Sequence, residues 1–208
     1  MALVKLNNRG VRSATTFGSI SALGEMRFIK KVTASSSATV SFVDGTSDVV
    51  LDDTYKEYLF TFKNIHPSAT SGNPILSFQG NVAGGSGYNE TMTTTHFRAY
   101  NREDGADETV AYVASKDQAQ GTSFQELAQG IGDDNDQCTS GYLHLFNPSS
   151  TTFVKHFISR FNTYEGSDYS IDQYCAGYIN TTSAIDEIQF KMLSGDIDAG
   201  DICLYGIN

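Results

Sequence analysis

Hydrophobic and polar residues alternate along most of the chain, and a period of two predicts β-strands. Tyr58, Phe60 and Phe62 share one face of one predicted strand, and Ile188 and Phe190 share one face of another. About eleven such segments occur, separated by polar turns that are rich in Gly and Asp. This pattern predicts an all-β fold, a single-domain, jelly-roll-like β-sandwich.

Two local signals predict a tight turn and a helix. Asp44-Gly45 lies between two alternating runs, which favours a β-hairpin because Gly tolerates a positive φ. In residues 121–132 the apolar positions have helical spacing, and Ser123 with Glu126 fits a capping box. These apolar residues are Phe124, Leu127, Ala128 and Ile131. We therefore expect one short helix at an end of the sandwich.

Residues 141–161 predict a hairpin that turns at residues 147–150 and is apolar on both faces. One face is predicted to contain Leu143, Leu145, Phe153 and Phe157. The other is predicted to contain Tyr142, His144, Phe146, Val154 and His156. A sandwich strand normally buries only one face, so the second face needs a cover. Either a packed loop or a neighbouring subunit would provide it, and these five residues are our interface candidates.

Charge is distributed unevenly along the 208 residues. The net charge is −10, yet residues 1–31 contain six of the 14 basic residues and a single acidic one, Glu25. This predicts a basic arm at residues 1–24, in which Arg9 and Arg12 are two further interface candidates against an acidic neighbour, followed by a sandwich domain at residues 25–208. A solvated first strand explains the same basic residues without a partner. The acidic body argues against nucleic acid as a partner.

The sequence gives no sign of a membrane segment or an export signal. It contains no apolar run of 18 residues, so we expect no membrane partner. The first residues lack the apolar region and cleavage site of a secretory signal, and we expect the protein to be made in a cytoplasm and not exported by a signal of its own. Cys138, Cys175 and Cys203 are too widely spaced for a disulfide framework or a metal pair, which predicts free thiols.

No motif in the sequence indicates catalysis or a cofactor. Nucleophile-elbow, zinc-protease, phosphate-loop and dinucleotide-binding motifs are all absent. Asp186 and Glu187 are adjacent on a predicted strand, so they point to opposite faces and cannot act together on one substrate. His144 and His156 could meet across the hairpin, but no third zinc ligand accompanies them. We predict a protein that is not an enzyme.

Two acidic loops offer oxygen atoms that could bind calcium. The first contains Asp133, Asp134 and Asp136, and the second contains Asp196, Asp198 and Asp201. Neither loop has the ligand spacing of an EF-hand. Turn formation explains the same Asp and Gly residues without an ion, and it is the interpretation that we favour.

Four stretches resemble structural proteins of marine tailed bacteriophages that infect cyanobacteria and other ocean bacteria. These stretches are Phe17–Gly45, Tyr58–Pro67, Gly141–Phe157 and Ala184–Met192. The resemblance implies a virion component without a catalytic motif. One departure is the segment GDICLYGI, where Cys203 stands at a position that is lysine in similar proteins.

These observations predict a non-enzymatic virion structural protein on the particle exterior, either decorating the capsid or associated with the tail. Its expected partners are sister copies and other virion proteins. The alternative is a receptor-binding module that recognises host-surface glycans through loop residues such as Tyr88, Tyr164 and Tyr169. A polysaccharide-degrading enzyme is a third possibility, supported only by scattered acidic residues.

Overall fold

The computed structural model describes residues 26–68 and 74–208, which form thirteen β-strands. The predicted basic arm, with Arg9 and Arg12, lies outside the described residues. The strands are β1 (Met26–Ser37), β2 (Val40–Val43), β3 (Glu57–Pro67), β4 (Leu76–Val82), β5 (Met92–Arg102), β6 (Glu108–Tyr112), β7 (Ala119–Gly121), β8 (Gln125–Ala128), β9 (Thr139–Phe146), β10 (Lys155–Glu165), β11 (Tyr169–Ile179), β12 (Ile185–Met192) and β13 (Ile197–Ile207). The predicted all-β class is confirmed, with thirteen strands instead of about eleven.

The strands form two antiparallel sheets that pack as a sandwich. The larger sheet has the order β1-β13-β3-β9-β10-β11-β5-β6, with β7 also paired to β5, and the smaller has the order β2-β12-β4-β8. β1-β13-β3-β9 and β2-β12-β4-β8 follow a jelly-roll path, because the chain passes from one sheet to the other at almost every step. β5, β6, β7, β10 and β11 widen only the larger sheet. Within the described residues, no helix is long and apolar enough to cross a membrane.

Aromatic side chains fill the space between the two sheets. Phe190 of β12 lies at the centre, with its ring centroid 5.2 Å from Phe60 and 4.9 Å from Phe62 on the facing strand β3. Tyr58, Phe60 and Ile188 are fully buried, as the alternation predicted. The inward residues of β3 and β12 therefore hold the sheets together through apolar burial and edge-to-face ring contacts.

The predicted helix at residues 121–132 is wrong, because this segment contains strand β8. Among the described residues the one helical element is a single 3-10 turn, Ala114–Lys116. β8 pairs with the edge of β4, and the fully buried Gln125 donates from Nε2 to the Lys116 carbonyl at 3.1 Å. Gly130 has φ +71°, which ends any helical path. Pairing with an open sheet edge therefore outweighs the local helical spacing.

The turn at Asp44-Gly45 forms, but the predicted hairpin does not. Gly45 has φ +70°, as expected for a tight turn. β2 pairs with β12 instead of with the residues that follow the turn. Val49 and Leu51 are buried in the core outside any strand, and the Leu51 amide donates to Asp44 Oδ1 at 2.7 Å. Burial of Val49 and Leu51 in the core thus stabilises this segment more than pairing with β2 in a hairpin would.

The connection between β9 and β10 is longer than predicted. The two strands pair as expected, and Leu143, Leu145 and Phe157 are buried on the inner face. Phe153 lies in the loop between the strands and is 69% exposed, so its predicted place on the inner face is wrong. Val154 also lies in this loop, ahead of β10, and is not part of a strand. The loop extends from residue 147 to residue 154, so Phe153 and Val154 are not part of the paired strands.

The fully buried side chain of Lys155 organises this loop. Its Nζ donates to the carbonyls of Ser150 at 2.6 Å, Phe153 at 3.0 Å and Thr181 at 3.0 Å. Desolvation lowers the pKa of Lys155 below its ordinary value. Three carbonyl groups compensate the buried ammonium, so this one side chain ties the β9–β10 loop to the loop after β11.

We expect Lys155→Met to lower the free energy of unfolding by about 2–3 kcal/mol, because the three carbonyls lose their donor. Urea denaturation followed by circular dichroism measures the change. Lys56→Met is the control, since Lys56 is exposed and a surface substitution changes stability by about 0.5 kcal/mol or less. Equal stability of Lys155→Met and the wild type would contradict the tethering role.

Candidate functional site on the outer face of the larger sheet

The solvent side of the larger sheet, here called the outer face, is the most unusual surface of the described residues. Of the nine large apolar side chains that these residues expose, seven lie on this face. They are Met26, Phe28, Phe97, Val110, Tyr112, Tyr142 and Ile158. Antiparallel sheets usually present polar residues to water. An apolar surface of this extent indicates a contact surface.

Strand register arranges one set of these side chains in a row across seven strands. The row consists of Phe28, Tyr205, Leu59, His144, Ile158, Ala176 and Thr95. The Phe28 and Tyr205 rings meet edge to face, with centroids 5.6 Å apart. Phe28 is 59% exposed and Ile158 47% exposed. Cross-strand neighbours thus form a continuous apolar band, which we call the Phe28 row.

A second row lies beside it and is more polar. This Tyr142 row consists of Lys31, Cys203, Thr61, Tyr142, Arg160, Tyr174, Phe97 and Tyr112. The Phe97 and Tyr174 rings are stacked, with centroids 4.7 Å apart and planes 5° from parallel. The stacked rings give the row a flat section near β5. Together the two rows make a surface that a flat partner could cover.

Arg160 and Lys31, the two cationic side chains of the Tyr142 row, pair with carboxylates on the outer face. Arg160 donates to Asp172 from Nε at 2.9 Å and from an Nη at 2.7 Å, and the Tyr174 hydroxyl donates to the same carboxylate at 3.0 Å. Hydrogen bonding to Arg160 is the main cause that lowers the pKa of Asp172. Elsewhere on the face, His144 Nε2 lies 2.9 Å from Glu57 Oε2. The face therefore presents paired charges beside exposed rings.

The structure places four of our seven interface candidates on the outer face. Tyr142, His144 and Phe146 follow one another on β9, and the His144 and Phe146 rings lie 4.2 Å apart. His156 lies on the neighbouring strand β10, with its ring 5.8 Å from Tyr178. Val154 is in the loop, while Arg9 and Arg12 are outside the described residues, so their predicted roles stay predictions.

Sequence reasoning missed other members of the outer face. Ile158 could have been found, because it continues the alternation of His156 along the same strand. Phe28 and Phe97 could not, since their position beside this hairpin depends on pairings between segments far apart in the chain. The strand alternation gives the face on which a side chain lies, but not the neighbour of each strand.

The acidic loops do not form a recognisable ion site. Asp136 and Asp198, one from each predicted calcium loop, line the same surface depression together with His66. Asp198 accepts a hydrogen bond from the Ser36 hydroxyl at 2.9 Å, and Asp201 accepts one from Thr33 at 2.6 Å. In residues 26–68 and 74–208, no group of three or more His, Cys, Asp or Glu side chains is placed to hold a metal ion. Asp133, Asp134 and Asp196 belong to the same two loops.

The three cysteines are free thiols, and burial raises the pKa of Cys175 to about 12.

The predicted glycan tyrosines do not form one site. Tyr88 lies in the loop before β5, with its ring centroid 6.4 Å from that of Phe124. Tyr164 and Tyr169 are on adjacent strands but point to opposite faces of the larger sheet, because Tyr164 pairs with Ser170.

Comparison of the chain with protein-family models, with curated proteins and with solved structures finds no match. The predicted kinship with phage structural proteins therefore rests on the four sequence stretches alone.

We expect Arg160→Met to raise the pKa of Asp172 toward the ordinary value of about 3.9, because the variant removes the main hydrogen-bond donor. Because the pKa of Asp172 is lower in the folded state than in the unfolded chain, its ionised carboxylate stabilises the wild-type fold at pH values above the ordinary pKa. This contribution is lost as the pH falls through the folded-state pKa. Carboxyl-carbon NMR titration measures the pKa. Arg102→Met should leave it unchanged, since Arg102 pairs with Asp104. An ordinary Asp172 pKa in the wild type would contradict this prediction.

Proposed function

We propose that this chain is a non-enzymatic structural subunit that associates with copies of itself through the outer face of the larger sheet. The observation that supports the proposal is the concentration of exposed apolar side chains on this one face. In keeping with the resemblance in its sequence, we further propose that the assembly lies on the exterior of a tailed-phage particle, where it decorates the capsid or forms part of the tail.

The size of the outer face is sufficient for a stable interface between copies. Eight adjacent strands, six of them 11 or 12 residues long, give an area on the order of 1,000 Å² or more. A standard protein interface buries about 800 Å² on each partner. The Phe28 row alone extends across seven of these strands. A partner that covers both rows would therefore bury an area typical of stable dimers or rings.

The charges favour a second copy as the occupant of this face. The chain as a whole carries a net charge of −10, so two copies repel each other over most of their surfaces. On the outer face the Arg160–Asp172 and Lys31–Asp201 pairs cancel locally. Two outer faces can thus meet without a large excess of like charge. Symmetric contacts of this kind produce closed oligomers, which are the usual form of repeated structural subunits.

We expect the wild-type protein to be oligomeric and Ile158→Lys to be monomeric, because the variant places an unpaired charge at the centre of the Phe28 row. Size-exclusion chromatography with multi-angle light scattering measures the mass. Leu193→Lys is the matched control, since Leu193 is 46% exposed, close to the 47% of Ile158, but lies beyond the end of β12 in the smaller sheet. A monomeric wild type, or an oligomer unaffected by Ile158→Lys, would refute assembly through this face.

The proposed place on a particle has its own test. We expect mass spectrometry of phage particles purified from infected marine bacteria to detect this chain in many copies. Brief protease treatment of intact particles should then release its peptides before those of internal proteins. Absence of the chain from particles that contain the other products of the same genome would refute a virion role and leave self-assembly to be judged by the scattering experiment.

A further inference from the structure

Because the two sheets differ in width, the smaller sheet covers only part of the larger sheet's inner face. The smaller sheet ends at β8, whereas the larger one continues through β11 to β5 and β6. A cleft of about 430 Å³ opens beyond β8, between the inner face of β5 and β11 and the segment that follows β8. This volume lies within the range of small-molecule sites. The cleft is separate from the outer face, because its side chains project from the opposite side of the sheet.

Two hydrogen-bond donors in this cleft have no acceptor. Arg98 Nε and Gln129 Nε2 are both buried, and neither has a hydrogen-bond partner among the described residues. The Arg98 guanidinium lies over the Tyr100 ring, 5.3 Å from its centroid. These two atoms are too deeply buried to contact a ligand themselves, but the guanidinium of Arg98 also carries Nη donors, and its side chain lines the cleft. The cleft therefore suits a molecule with acceptor oxygens.

Acceptors line the same cleft within reach of a polyhydroxyl ligand. Asp107 accepts a hydrogen bond from the Tyr169 hydroxyl at 2.9 Å, and Glu165 accepts one from the Ser167 amide at 2.8 Å. Each carboxylate has two oxygens with several lone pairs, so each can accept further hydrogen bonds. Positive and negative groups are thus combined in one cleft. This combination suits a ligand that both donates and accepts better than a simple anion.

Two tyrosine rings give the cleft an apolar wall. Tyr100 of β5 and Tyr169 of β11 meet edge to face, with centroids 5.6 Å apart. Gly130 lets the Glu165 side chain pack closely against the segment after β8, because a Cβ at Gly130 would lie 2.8 Å from Glu165 Cγ. Rings beside alternating donors and acceptors match the C–H faces and hydroxyl edges of a pyranose.

We propose that this cleft binds one sugar residue of a saccharide. The Arg98 guanidinium donates to its ring or hydroxyl oxygens, Asp107 and Glu165 accept from its hydroxyl groups, and the Tyr100 and Tyr169 rings line the apolar side of the site. The inference goes beyond self-assembly and does not depend on it. It also differs from the glycan site expected from sequence, because of the three loop tyrosines only Tyr169 takes part.

The test is saturation-transfer difference NMR on the full chain with D-glucose, D-galactose, D-mannose, N-acetyl-D-glucosamine and D-glucuronate, each alone. We expect at least one of them to bind with a Kd on the order of 1 mM, as is typical for a single small ligand held by a few hydrogen bonds. Arg98→Met and Tyr100→Ala should each weaken that binding at least tenfold, because they remove a charged donor and a ring wall. Preferential binding of glucuronate would identify its carboxylate as the group that Arg98 recognises.

Tyr178→Ala is the control, since Tyr178 lies on β11 like Tyr169 but on the outer face. It should leave saccharide binding unchanged. Circular dichroism of each variant verifies that the sheets are intact, and Arg98→Lys provides a second variant that keeps the charge if Arg98→Met does not fold. Lack of binding by all five sugars overturns the proposal, as does binding that Tyr178→Ala abolishes or that persists in both cleft variants. None of these results affects the scattering experiment on Ile158→Lys.

Discussion

The packing of a nine-stranded sheet on a four-stranded one is the constraint on which the rest of this structure depends. A sandwich buries the facing surfaces of its two sheets, and here one sheet is too narrow to cover the other. The jelly-roll strands are matched across the core and enclose Phe60, Phe62 and Phe190. Within the described residues, no strand of the smaller sheet lies opposite the additional strands beyond β8. The cleft on the inner side results directly from this difference in width.

The same widening creates the outer face. β10, β11, β5 and β6 extend a flat antiparallel surface on which side chains from distant parts of the chain become neighbours. Ile158 adjoins Ala176, and Phe97 stacks on Tyr174, only because these strands were added to the sheet beside β9. The additional strands therefore provide two surfaces with different chemistry. One is broad, aromatic and locally neutral, and the other is narrow, polar and concave.

Sequence patterns predicted those features that depend on alternation within a strand. The burial of Tyr58, Phe60 and Ile188 followed from period two alone, as did that of Leu143, Leu145 and Phe157 in the paired part of the β9–β10 hairpin. Features that depend on pairing between distant strands could not be predicted in this way. The segment at β8 has helical spacing, yet its conformation is decided by the open edge of β4. The cleft likewise combines Arg98 with Gln129, and no local pattern connects these two residues.

The position of β13 between β1 and β3 has a consequence for how the chain acquires its fold. Lys31 of β1 contacts Asp201 of β13, and these residues are 170 positions apart in sequence. Among the described strands β1 has no other partner in the larger sheet, so its pairing waits until β13 has been synthesised. Such long-range closure is slow compared with local hairpin formation. Until then β1 exposes an unpaired edge, and nascent chains on neighbouring ribosomes could exchange this strand.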